Sequence, residues 1–236
     1  LNSAPSVSVV IPVFNAERYV AAALTSVLSQ SVAPTEVIVV DDGATDRSLE
    51  EARRVADGRC HFVSQTRGGA AAARNAGVGR SSGSLLAFLD ADDAWPPDTL
   101  RLQLSRLQDD AELDMVFGHY VSVGPDGALL ADGEPRPGYS LGTMLIRRDS
   151  FLKVGPFATG WRVGEFLEWF ARATELGLRH AMLPETLLHR RVHTSNLTGS
   201  DRAARVDYAR IVREMAARRG QLGGRRASAG RYGEPQ

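Results

Sequence analysis

Between Val7 and Asp90 the chain repeats one pattern, a short β-branched run followed by a longer stretch whose apolar residues return at helical spacing. That alternation restricts the fold to the α/β class, with a mainly parallel central sheet and helices on both faces, because parallel neighbours need a crossover between them. "VSVVI" (7–11), "EVIVV" (36–40), "CHFVS" (60–64) and "LLAFLD" (85–90) read as strands. Val20, Leu24, Val27 and Leu28 give a helix over 16–30 one apolar face. "TDRSLEEARRVA" is a second helix, with Thr45 as its N-cap and acidic residues early, where the helix dipole favours them. The alanine-rich "AAAARNAGVG" (70–79) follows.

Beyond Asp90 the pattern loosens. Pro96 and Pro97 open a helix whose Leu100, Leu104 and Leu107 point one way. "DMVFGHYVSV" is a strand, and "GPDGALL" has the chemistry of a hairpin turn, so a small antiparallel extension of the sheet is expected. Residues 129–141, rich in Gly and Pro, are expected to form a mobile loop. "SLGTMLIRRDSF" returns to the sheet and "GEFLEWFARATELG" (164–177) is a helix. Residues 1–5 read as a linker or cloning scar, 6–200 as one domain, and 201–236 as a helix running into a flexible basic tail.

Composition narrows the function. Lys plus Arg and Asp plus Glu both number 28, so net attraction to nucleic acid is not expected. Cys60 is the lone cysteine, which excludes an internal disulfide and a cysteine-based zinc cage and fits a reducing, cytoplasmic setting. No run approaches the roughly 20 apolar residues of a membrane span, so no transmembrane segment is expected. The basic tail could still touch a membrane surface or a partner, with solvated disorder the blander alternative. "PVFNAE" lacks the glycines of a dinucleotide fingerprint, and "RGGAAAARNAGVG" lacks the Lys-Ser/Thr ending of a phosphate loop.

The acids remain to be explained. Asp41 and Asp42 lie at the carboxyl end of the second strand, where open α/β sheets bind ligands. "FLDADDAW" sets Asp90, Asp92 and Asp93 within four positions, and such crowding raises at least one pKa unless a cation screens it. Asp93 can cap the proline-led helix. Asp90 and Asp92 alternate on an extended chain and so share a side, which suits a hard divalent ion carrying substrate phosphates.

"VSVVIPVFNAERYVAAALTSVLSQS", "EVIVVDDGATD", "RGGAAAARNAGVGRSSGSLLAFLDADDAW" and "GEFLEWFARATELG", in that order from about residue 6 to residue 196, together resemble the family 2 glycosyltransferases of GT-A fold. The resemblance implies a nucleotide-binding half (6–95) and an acceptor-binding half (96–200). It implies inverting transfer of a sugar from a nucleotide-diphosphate donor, with UDP the default, to an acceptor hydroxyl, usually with Mn²⁺ or Mg²⁺. Pro12 and Phe14 would line the nucleobase pocket, Asp41 would read the base with Asp42 beside it, and Arg74 would lie near base and diphosphate. Asp90 would approach the ribose and Asp92 would bind the metal. His193 would sit near the metal, and Arg190 or Arg191 near the diphosphate.

The general base departs from the family pattern, in which Glu-Asp opens the later helix. Here "GEFLEW" puts Phe166 in the second place, leaving Glu165 as first candidate and Glu168, three residues on, as reserve. Trp161, Trp169 and Phe170 could line an acceptor pocket, although aromatic residues on an amphipathic helix are more often core. The acceptor class stays open among glycan, lipid-linked sugar, protein and natural product. A non-catalytic nucleotide-sugar binding module, motivated by Phe166, and a nucleotidyltransferase are the alternatives.

Overall fold

A computed structural model describes residues 5–131, 133–161, 163–193, 209–211 and 213. Four strands, β1 (Val7–Val13), β2 (Glu36–Asp41), β3 (Cys60–Ser64) and β4 (Leu85–Phe88), form a parallel block in the order β3-β2-β1-β4. The crossovers are α1 (Val20–Leu28), α2 (Ser48–Val55) and α3 (Ala70–Arg80). The second half adds α4 (Thr99–Asp109), β5 (Met115–Val123), β6 (Arg136–Pro137), β7 (Leu145–Arg147), α5 (Arg148–Val154), α6 (Glu165–Glu175) and β8 (His180–Arg191). β7 pairs antiparallel with both β4 and β5 and so joins the halves. Met115 pairs with both Ile146 and His180, and His119 with both Pro137 and Thr186. Hence β7 and β6 share one side of β5, and β8 runs parallel along the other.

The strand alternation divides two cores. Val9, Ile11, Val37, Val39 and Ala87 face one cluster, completed by Val20, Leu24 and Val27 of α1 and Leu100, Leu104 and Leu107 of α4. Val10, Ile38, Val40, Leu86 and Phe88 face the other, with α3, α5 and α6. Strands buried on both faces must be apolar throughout, which is why they read as unbroken runs. A Cβ on Gly77 would lie 2.3 Å from Val10 Cγ1, so α3 approaches the sheet at a distance only glycine allows there.

Several local expectations change. α1 starts at Val20, since Glu17–Tyr19 form a turn first. Thr45 is not the cap of α2: its backbone N–H and hydroxyl bond Asn15 Oδ1, and Asp46 accepts from the Ser48 N–H instead. Pro96 and Pro97 precede α4, which begins at Thr99. The 129–141 stretch contains β6, and Leu129 bridges Val123 across the expected hairpin turn. The sequence pattern of β8 is interrupted by Pro184 and Glu185; the register against β5 shifts across them, between Met182 and Thr186, and again between Thr186 and Leu188. Trp169 is fully buried, stacked on Phe151, with its indole N–H donating to Gly155 O, so the core reading holds for it. Of the 201–236 tail, 209–211 and 213 are helical and the rest lies outside the described residues, as do residues 1–4.

Candidate active site

The carboxyl ends of β1, β2, β3 and β4 open on one side of the sheet, and their loops are laced together there. Asn15, held at φ 48°, accepts from the Thr45 N–H at 2.9 Å. Ser48 Oγ accepts from the Ala16 N–H at 2.7 Å, and Glu17 accepts from the Arg47 N–H at 3.0 Å. Pro12 lies past the β1–β4 pairing, which stops at Val10, so its missing N–H costs no ladder bond on that side. The Arg67 guanidinium lies 4.0 Å above the Phe14 ring, so one face of that ring already carries a cation.

The two neighbouring acids of β2 separate. Asp42 is 4% exposed and accepts from the Gln65 side chain and from the Gly68 and Gly69 N–H groups, at 2.7, 2.7 and 2.8 Å. With these three bonds Asp42 clamps the loop before α3. Gly69, at φ 86°, supplies the left-handed turn that aims both N–H groups at it. Asp41 is half-buried, uses Oδ1 for the Ala44 N–H at 2.8 Å, and keeps Oδ2 without a hydrogen bond among the described residues.

The 90–93 cluster is a turn, closed by the Asp93 N–H on Asp90 O at 3.1 Å, rather than the extended alternation expected. Each acid meets a different partner. Asp90 takes Arg74 Nη2, while Arg74 Nη1 reaches Glu165 Oε1 at 2.5 Å. Arg74 is 4% exposed; burial opposes its charge, but the two carboxylates outweigh that and raise its pKa. Asp92 Oδ2 lies 3.0 Å from His193 Nε2. Burial, then the charge of Asp90, pushes the Asp92 carboxyl up, with the His193 contact pulling the other way. Asp93 caps no helix: it is buried and accepts the Arg191 N–H at 2.8 Å, 98 residues away. Burial and the charges of Asp92 and Asp90 drive its carboxyl well above the ordinary range.

The basic candidates also separate. Arg191 is 8% exposed, and its Nε and Nη1 donate to the carbonyls of Asp92 and Pro125 at 2.8 and 2.9 Å. It fastens the acidic turn to the hairpin. Arg190 is half-buried, and its charge is felt at Asp93. Glu168 is 5% exposed with both oxygens 3.1 Å from Arg172 Nε, whereas Glu165 stands in the first turn of α6 beside Arg74. Phe166 joins the aromatic cluster of Phe117, Trp169 and Phe170. Trp161 is half-buried beneath the Arg210 guanidinium, 4.6 Å from its ring. Sequence reasoning missed Asn15, Tyr19, Gln65 and Arg67; only Arg67, a cation beside Gly-Gly, had a readable signal.

The sequence profile of Glycosyl transferase family 2 matches residues 8–164. The chain belongs to this family. It is 35% identical over 142 residues to the hyaluronan synthase of Pasteurella multocida, covering 59% of this chain and 15% of that protein. It is 34% identical over 115 residues to an Escherichia coli protein named UDP-Glc:alpha-D-GlcNAc-diphosphoundecaprenol beta-1,3-glucosyltransferase WfgD, covering 48% of this chain and 45% of that one. The chain therefore spans less than half the length of both relatives. The structure of S. aureus TarS 1–349 in complex with UDP-GlcNAc matches at 20% identity with a TM-score of 0.76, over 90% of this chain and 66% of that one. The fold is the GT-A fold. Among the described residues no helix is long and apolar enough to cross a membrane.

Proposed function

We propose that this family 2 domain transfers a sugar from a UDP-sugar to an acceptor hydroxyl, inverting the anomeric carbon and using Mn²⁺ or Mg²⁺ at the diphosphate. One observation carries the reading. Arg74 joins Asp90 of the acidic turn to Glu165 of α6, so donor-side acids and a candidate base share one end of the sheet. The names of the E. coli relative and of the TarS complex, with UDP-Glc and UDP-GlcNAc, support a uridine donor.

The residues divide the work. The free oxygen of Asp41 accepts an N–H of the base, beside Pro12 and the Phe14–Arg67 pair, and Asp90 meets the ribose. Asp92 and His193 fit a divalent ion as a two-ligand set. Among the described residues no group of three or more His, Cys, Asp or Glu is placed to hold one, and Mn²⁺ or Mg²⁺ typically takes one or two carboxylates with phosphate oxygens and water. When bound, such an ion offsets charge on the departing diphosphate. Arg190, whose charge is felt at Asp93, would face the same charge. Glu165, oriented by Arg74, takes the acceptor proton.

A non-catalytic nucleotide-sugar module is the second reading, favoured by Phe166 lying in the aromatic cluster and by the hold of Arg74 on Glu165. Release of UDP from UDP-GlcNAc and UDP-Glc with Mn²⁺ separates the two. Transfer predicts turnover that falls by about 10²–10⁴ in Glu165→Gln while UDP affinity survives, the range for losing a general base. A wild type that binds UDP and never releases it from either sugar nucleotide supports the module.

A further inference from the structure

The Tyr19 ring lies against His193, centroids 4.9 Å apart and planes 25° from parallel. The Arg191 guanidinium is 5.0 Å from the Tyr19 centroid and that of Arg18 is 5.4 Å from it. Arg191 also donates to Asp92 O and, through its backbone N–H, to Asp93 Oδ1. Tyr19 thus touches both a side chain that meets the Asp92 carboxylate and one that fixes the backbone beneath it. The ring belongs to the loop between β1 and α1, where the Tyr19 N–H bonds Ala16 O at 2.9 Å and Tyr19 O accepts from Ala23. Its backbone is therefore held by the helix start.

We infer that Tyr19 is a positioning residue for the divalent-ion site: its ring fixes the plane of the His193 imidazole so that Nε2 faces the Asp92 carboxylate. The inference rests on the proposed Asp92–His193 ion site and goes beyond it by giving that site a support in the first half of the chain. The physical case is one of freedom removed. His193 closes β8 two residues past its last strand residue, and an imidazole there can turn about two side-chain bonds. A ring stacked on one face halts that rotation, and Arg191, bonded to the Asp92 backbone, ties the same ring to the turn. Partners that orient a metal-ligating His are commonly worth 10–100-fold in metal affinity. A cleft of about 680 Å³ lined by Asn15, Tyr19, Pro125 and His193 opens beside the pair, so the stack forms part of an accessible wall.

The test compares Tyr19→Leu, Tyr19→Phe and Asp92→Ala with the wild type. It reads Mn²⁺ affinity in the presence of UDP by the paramagnetic signal of free Mn²⁺, and the ring-proton shifts of His193 without metal. The expected result is about 10–100-fold weaker Mn²⁺ binding in Tyr19→Leu. The same variant loses the upfield ring-current shift of His193, its metal-free thermal transition stays cooperative, and Tyr19→Phe restores both readings. Unchanged Mn²⁺ affinity in Tyr19→Leu, with Asp92→Ala abolishing it, overturns this inference and leaves the ion site standing. Unchanged affinity in Asp92→Ala removes the ion site itself. Should Tyr19→Leu fail to fold, Tyr19→Phe still decides: a His193 shift unlike wild type overturns the stack.

Discussion

The two halves of the sheet are built by different rules. From β1 to β4 the strands lie parallel to one another, and successive residues of β1, β2 and β4 alternate between two apolar cores. Around β5 the neighbours come from distant parts of the chain, antiparallel in β6 and β7 and parallel in β8 with two register shifts. The first half presents its acids at strand ends whose positions the alternation fixes. Among the described residues the second half meets the acids at the start of α6, through the Arg74–Glu165 ion pair, and just past the end of β8, through the His193–Asp92 contact.

The largest expected effect comes from cutting the tie. Arg74→Ala leaves Glu165 largely buried without its partner, while the half-exposed Asp90 regains water, and should cost about 3 kcal/mol, the low end of the range for removing one partner of a buried ion pair. Urea unfolding measures it, and a loss under 1 kcal/mol would mean that the halves do not depend on this link. Gly77→Val tests how tightly the first half is packed. Its side chain would meet Val10, and overpacking of this kind should cost about 1–3 kcal/mol in the same assay.

A smaller effect is expected at the opposite end of β2. Burial raises the Glu36 carboxyl, but hydrogen bonds from Ser8, Ser82 and Gly83 outweigh it and leave the pKa lowered. A depressed folded-state pKa contributes stability above the unfolded value and loses it as pH falls through the folded one. Glu36→Gln should therefore cost about 1 kcal/mol at pH 7, with the difference from wild type shrinking toward pH 3. A difference constant with pH would remove the charge from the explanation. The smallest effect belongs to the second half: Tyr139 is half exposed and stacked on Phe170 at 4.8 Å, so Tyr139→Ala should cost about 0.5 kcal/mol, the low end for an aromatic pair. A larger loss would erase the contrast between the halves.

That contrast also sets what the sequence discloses. Strands buried on both faces are nearly continuous apolar runs, so β1, β2 and β4 could be read directly, and the helix faces of α1 and α4 followed from spacing. Asp41 and Asp42 could not be told apart, because what occupies Asp42 lies 23 to 27 residues on, at Gln65, Gly68 and Gly69. Asp93 suggested a cap by local rules, yet its partner is the backbone of Arg191, and the same register turns Arg191 inward. β8 escaped detection because Pro184 and Glu185 interrupt its pattern. In each case a contact distant in sequence decided what local chemistry left open. Glu165 was legible as an acid in a first turn, but its partner Arg74 belonged to a different motif.

The central claim is that the Asp90–Asp93 turn holds a nucleotide diphosphate through a divalent ion. A calorimetric titration of UDP, GDP and dTDP, with and without Mn²⁺, on wild type and Asp92→Ala tests it most directly. The account predicts UDP binding that needs both the ion and Asp92. Binding of any of the three that is indifferent to Mn²⁺ and to Asp92, or no binding at all, would contradict it.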